Sequence, residues 1–156
     1  IVQIEEQIAA GAHAAQIFES WLGELGREDL EEFSFPYLAK IAAAIRKTGV
    51  PSILFSTGTT GHVERMATLG FDVISVDWRT PIQEVRARLP GVAVQGNYDS
   101  TILFGPTEVA VERAVQVAKA GATAPGYIFN LGHGIQPGTD PARVKAVVEA
   151  VQALKI

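Results

Sequence analysis

Apolar residues along this chain fall into short continuous runs, separated by stretches in which they recur every three or four positions. The runs HAAQIFES (13–20), VPSILFS (50–56), DVISVDW (72–78), VAVQGN (92–97) and YIFNLG (127–132) are rich in Val, Ile and Phe and predict buried strands. The periodic stretches up to Gly11 and over 27–49, 62–70, 81–89, 107–120 and 141–154 predict helices. Gly49 is placed to close the second helix, while Asp140 and Pro141 supply a cap and a first-turn proline for the last. No hairpin turn joins two strands, so the alternation predicts a parallel sheet covered by helices. The strand-helix unit recurs every ~25 to 30 residues without a linker, and residues 1–156 read as one unit.

A doubly wound sheet and a (β/α)₈ TIM barrel both satisfy that alternation. The strand ends favour the barrel, because nearly all finish in polar or ring-bearing residues: Glu19 and Ser20, Ser56 and Thr57, Asp77 and Trp78, Gln95 and Asn97, Asn130 and His133. A barrel gathers all such ends at one mouth, whereas a doubly wound sheet concentrates function at one switch point. The fold class expected is therefore α/β, with about five βα units and the barrel favoured over the doubly wound sheet. The chain opens on IVQIEEQIAAGA, in helical periodicity and without a capping residue, which reads as the middle of a longer sequence.

Composition narrows the function. Hydrophobic residues make up 47% of the 156, enough for a substantial core, and the formal charge of −4 with no basic run argues against a nucleic-acid partner. With no cysteine there are no disulfides and no thiolate metal ligands, which fits a cytoplasmic location. No apolar run reaches the ~20 residues of a membrane span, and no membrane partner is expected.

The most informative local pattern is FNLGHGIQPGTDP, residues 129–141, in which His133 stands between two glycines. Glycines there permit unusual backbone angles and let a ligand approach the imidazole. Ser20 follows a strand but lacks the Gly-flanked elbow of a nucleophile, leaving hydrogen bonding or a loop role, with Trp21 beside it as a candidate apolar wall. The loop STGTTGH (56–62) lacks both a P-loop lysine and G-x-G-x-x-G spacing, leaving turn chemistry or an anion contact. Asp77 reads as a base, an anchor or a loop tether. A metal site could in principle be assembled from His62, His133 and Asp77, but without cysteines or a short His-x-x-x-His spacing no metal is expected.

The strings IFESW, FPYLAKIAAAI, VISVDW, VAVQGNYD and FNLGHGIQPGTDP resemble the C-terminal part of the uroporphyrinogen decarboxylases, in order and over essentially the whole chain. That resemblance implies a (β/α)₈ barrel, a homodimer, that removes carboxyl groups from the acetate arms of uroporphyrinogen in porphyrin and haem biosynthesis, without cofactor or metal. It implies substrate-binding roles for Ser20 and His133, which should then face one pocket. It places no catalytic residue in this chain, because the family's pyrrole-binding aspartate and its arginines belong to an N-terminal part that these residues do not match. Asp77 matches a different strand from that aspartate, and the resemblance implies a partial barrel, the last five or so βα units of eight. Ser100, in GNYDST, stands where family members commonly carry proline, a difference in loop rigidity.

Two other readings remain open at this point: a zinc-dependent corrinoid methyltransferase of the same superfamily, for which a cysteine-free chain lacks the usual ligands, and a catalytically silent barrel fragment. Open strand edges predict that the chain by itself associates, with its missing half or with its own copies as a homo-oligomer, and shows no activity without that half.

Overall fold

The computed structural model describes residues 1–155. Five strands, β1 (Ala15–Phe18), β2 (Ser52–Phe55), β3 (Val73–Ser75), β4 (Ala93–Tyr98) and β5 (Tyr127–Leu131), form one sheet in sequence order. Every pairing is parallel, with Phe18 opposite Phe55, Phe55 opposite Ser75, Ser75 opposite Gln95 and Gln95 opposite Ile128. The helices are α1 (Val2–Ala9), α2 (Arg27–Asp29), α3 (Phe35–Arg46), α4 (Val63–Ala67), α5 (Ile82–Arg88), α6 (Thr107–Gly121) and α7 (Pro141–Gln152). None is long and apolar enough to cross a membrane among the described residues.

Each strand sends alternate side chains to opposite faces. Ile17, Leu54, Ile74, Val76 and Val94 face the helices and pack with Phe35, Leu38, Ala42 and Ile45 of α3, Met66 of α4 and Val85 of α5. The four α3 residues recur at helical spacing, which is why that helix lies down on the sheet. A second cluster joins Tyr98, Phe129 and Leu131 to α6 and α7. On α6 the buried positions are Ala110, Ala114, Ala118 and Gly121, so the helix presents a smooth face and sits close to the strands. The Tyr98 hydroxyl donates to Ala110 O at 3.1 Å, satisfying the one polar atom of that fully buried ring.

The opposite face is concave. Gln95 on β4 donates from Nε2 to Gln16 Oε1 on β1, at 3.2 Å, although β2 and β3 lie between them in the pairing order. The contact is diagonal, since the register sets Gln95 level with Phe18 rather than Gln16. Tilt and curl of this sense are what barrel closure demands. Five parallel strands curled over one face, each followed by a helix, constitute the expected partial barrel.

Two departures from the sequence reading have clear causes. The predicted helix over 27–49 is interrupted by a π turn, Leu30–Ser34, in which Phe35 N–H donates to Leu30 O. Pro36 follows at once; it has no N–H to give and its ring crowds the carbonyl four residues back, so the wide turn absorbs the misfit. Four of the five strands are also shorter than their apolar runs, because the outer residues of those runs enter the flanking loops, whereas β4 keeps its length one residue further on; three loops at the mouth carry 3₁₀ turns at Leu22–Glu24, Thr60–His62 and Ser100–Phe104. The caps are as read: Asp140 accepts from Ala142 N at 2.9 Å with Pro141 in the first turn, and Gly49 takes a positive φ of 78° after α3.

Candidate functional site

The loops that follow the strands meet at the C-terminal end of the sheet, and their mutual ties begin with Asp77. This carboxylate is 2% exposed and accepts from Gly58 N at 2.6 Å and Arg79 N at 3.0 Å, and it pairs with the Arg79 guanidinium. It therefore fastens the loop after β2 to the loop after β3 and is a tether. Loop 56–62 spends a backbone N–H on this internal anion. Thr57 Oγ1 then donates to Ser20 O at 2.7 Å, joining the β1 loop to the set. Gly23 completes the seam: a Cβ there would lie 2.5 Å from Thr57 O, so only glycine lets the two loops touch.

The same logic explains the first glycine around His133. A Cβ on Gly132 would lie 2.6 Å from Trp78 N, and Gly132 N itself donates to Tyr98 O at 2.7 Å. Gly132 thus lets the end of β5 press against the Asp77–Trp78 backbone, which brings the His133 ring edge-on to Trp78 at 6.1 Å between centroids. Arg79 covers the indole, its guanidinium 4.5 Å from the Trp78 ring centre. The expectation of unusual backbone angles is corrected here, since neither Gly132 nor Gly134 has a positive φ. Gly134 borders open space, with nothing within 4 Å of where its Cβ would be.

Ser20 and His133 line one cavity of about 400 Å³ at this mouth, together with Gln16, Phe18, Phe55 and Asn130. Flat-sheet geometry would hold β1 and β5 roughly 19 Å apart, and the curl of the sheet is what brings them across one opening. Phe18 and Phe55 meet edge to face at 5.6 Å and form an apolar floor, with Phe18 still 68% exposed to the cavity. Trp21 does not belong to this wall; it is 73% exposed and leads into the 3₁₀ turn, so the aromatic surface of the cavity comes from Phe18 and Phe55. Phe18 and Gln16 were legible by alternation, lying two and four residues before Ser20 on the same face. Chemically, the cavity offers a hydroxyl, an imidazole and amides above a hydrophobic floor, which suits a large, partly apolar ligand bearing hydrogen-bond acceptors.

His62 lies elsewhere, beside the paired Glu31 and Arg65, and among the described residues no three His, Cys, Asp or Glu side chains gather as a metal site. The Arg65 guanidinium beside Glu31 holds that carboxyl below its usual range. Ser100 starts a turn that Asp99 fixes by accepting from Thr101 N at 2.9 Å and Thr101 Oγ1 at 2.8 Å, so a cap orders the segment in place of a proline ring.

A parallel α/β barrel segment with a cavity at the C-terminal strand ends defines the class of the molecule. The family model described as uroporphyrinogen decarboxylase (URO-D) matches residues 1–154, and the chain belongs to that family. A uroporphyrinogen decarboxylase of Anaeromyxobacter dehalogenans (strain 2CP-C) is 78% identical over 153 residues, covering 98% of this chain and 44% of the relative. One from Anaeromyxobacter sp. (strain Fw109-5) is 72% identical with the same coverage. The chain thus spans less than half the length of these relatives. Among solved structures, a methyltransferase from Methanosarcina mazei superposes with a TM-score of 0.82 over 97% of this chain and 45% of its own, at 23% identity, a likeness of fold.

Proposed function

We propose that this chain forms the substrate-gripping side of a uroporphyrinogen decarboxylase, a carboxy-lyase that converts the acetate arms of uroporphyrinogen to methyl groups. The single observation that carries the proposal is the meeting of Ser20 and His133, from opposite edges of the sheet, over one cavity floored by Phe18 and Phe55. The Ser20 hydroxyl and a His133 ring N–H donate to substrate carboxylate oxygens, while the phenyl rings carry the apolar faces of the pyrroles and exclude water from them.

Loss of CO2 from an arm leaves an electron pair that only a protonated pyrrole can take up, and a proton then replaces the carboxyl group. The developing positive charge needs a buried anion beside the ring. Asp77 does not serve, because Gly58 N, Arg79 N and the Arg79 guanidinium already engage its carboxylate. By resemblance to the family that anion belongs to the remaining part of the barrel, whose strands pair with the open edges of β1 and β5. Ser20 and His133 fix the substrate for it; orientation of this kind is a large share of a rate enhancement but not a substitute for charge stabilisation. The completed barrel works as a homodimer in the cytoplasm, without cofactor or metal, and the 156-residue chain alone associates through its open edges and is inactive.

The test joins this chain to the N-terminal part of the Anaeromyxobacter dehalogenans relative in one polypeptide. The chimera should form coproporphyrinogen from uroporphyrinogen, the chain alone should not, and Ser20→Ala or His133→Ala should each raise KM about tenfold, the worth of one charge-assisted hydrogen bond. An inactive chimera, or an active one indifferent to both substitutions, overturns the proposal.

A further inference from the structure

We infer that Gln16 is a third hydrogen-bond donor to the substrate carboxylates, aimed into the Ser20–His133 cavity by a buried polar chain that runs from Ser75 through Gln95; the inference rests on the decarboxylase reading above. Barrel interiors are ordinarily filled by branched apolar side chains. Here three inward positions on β1, β3 and β4 are Gln16, Ser75 and Gln95, with Ser75 fully buried and Gln95 3% exposed. Polar groups so placed need partners, and they have them. Gln95 Nε2 donates to Ser75 Oγ at 2.9 Å and to Gln16 Oε1 at 3.2 Å.

The two hydrogens of that amide are thereby committed, one to each acceptor. The carbonyl oxygen of Gln16 is held toward β4, which leaves its NH2 group as the free end. Among the described residues Gln16 Nε2 donates to no protein atom, and Gln16 lines the cavity in series with Phe18 and Ser20. A group with donors and no acceptor presented to a cavity matches a ligand atom that only accepts, which is what a carboxylate is. The amide also stands two residues deeper than Phe18, so it meets a carboxyl-bearing arm that reaches past the phenyl floor rather than the macrocycle above it. In this arrangement Gln16 touches the substrate, and Gln95 is a positioning residue that acts through it.

The chimera described above supplies the assay, with uroporphyrinogen as the substrate and KM and kcat read separately. Gln16→Leu should raise KM about tenfold with kcat within about twofold, the signature of a lost binding contact. Gln16→Glu is nearly the same shape but sets an anion against the substrate carboxylates, and should raise KM about a hundredfold. Gln95→Leu should match Gln16→Leu, and combining the two should add nothing, since both remove one contact. Gln16→Asn withdraws the donor by one methylene without adding apolar bulk and keeps the test decisive where the leucine variant fails to fold; it too should raise KM. A parent chimera that forms no coproporphyrinogen overturns the decarboxylase reading and this role with it. An active parent whose KM ignores these substitutions, or responds equally to Leu and Glu, overturns the role of Gln16 alone.

Discussion

Replacing Arg86 by methionine should cost this fold a large share of its stability, and the reason lies at the end of the sheet opposite the cavity. The Arg86 side chain is 9% exposed. Its Nη1 donates to Val92 O at 3.2 Å and Gly126 O at 3.3 Å, and its Nη2 to Pro125 O at 2.9 Å and to Ala124 O. One fork thus ties α5 to the entries of both β4 and β5. Hydrogen bonds to a charged donor are worth roughly 1.5–3 kcal/mol each in substitution series, but they do not add, and burial of the guanidinium offsets part of the sum. Nε is buried without a partner, a further charge against the account. Allowing for water at the freed carbonyls, Arg86→Met should lose about 2–4 kcal/mol, which lowers the thermal midpoint of a chain this size by about 5–15 °C. Arg86→Lys should fare no better, because a point donor cannot span four carbonyls. Unfolding in denaturant, followed by circular dichroism, measures both variants. A methionine variant within about 0.5 kcal/mol of the parent would refute the reasoning, since it would mean the four bonds merely balance the cost of burial.

Gly132→Ala should lose about 2–3 kcal/mol and weaken substrate binding in the chimera together, because the added Cβ forces β5 away from Trp78; an unchanged unfolding midpoint would contradict the close approach. Asp140→Ala should cost about 1 kcal/mol by uncapping α7, read from the same unfolding curves. Asp72 is held below its usual carboxylate range first by the Ser52 hydroxyl at 2.7 Å and then by Ser52 N at 2.8 Å. A carboxylate depressed in the folded state contributes above its unfolded pKa and loses that contribution as pH falls through the folded value. The stability gap between parent and Asp72→Asn, small because the side chain is exposed, should therefore be present at neutral pH and close below about pH 4; a gap constant with pH would contradict it.

Arg86 also shows where sequence reasoning stopped. It lies four residues after Ile82 and one after Val85, on the apolar stripe of α5, whereas Arg88 points outward to Glu64. Helical spacing separates the two arginines, but only to a reader willing to put a charge on a buried face. Strand-helix alternation was legible because each run buries one face, and the caps were legible because Asp-Pro and Gly admit few other uses. The π turn before Pro36 was not, since a proline near a helix start is ordinarily benign. Ser20 and His133 were individually visible at strand ends; that they share a cavity was expected through the family resemblance alone, because sheet curvature leaves no local trace. The role of Gly132 was hidden for the same reason, because the backbone it accommodates is more than fifty positions away in sequence.

The distance across this mouth is set by bending as much as by local chemistry. Ser20 and His133 extend from β1 and β5, the strands farthest apart in the pairing order, with four inter-strand steps between them. In an eight-stranded barrel each step turns by about 45° at about 4.8 Å spacing, and relaxing every step by about 5° widens the gap between the outer strands by roughly 1 Å. A displacement of that size separates a made hydrogen bond from a lost one. The two residues are therefore the jaws of a caliper whose hinge is distributed over β2, β3 and β4. Packing behind the hinge sets the span of the jaws: enlarging Ala110 or Ala114 on α6, outside the cavity lining, would change the distance between Ser20 and His133 by changing the curve of the sheet.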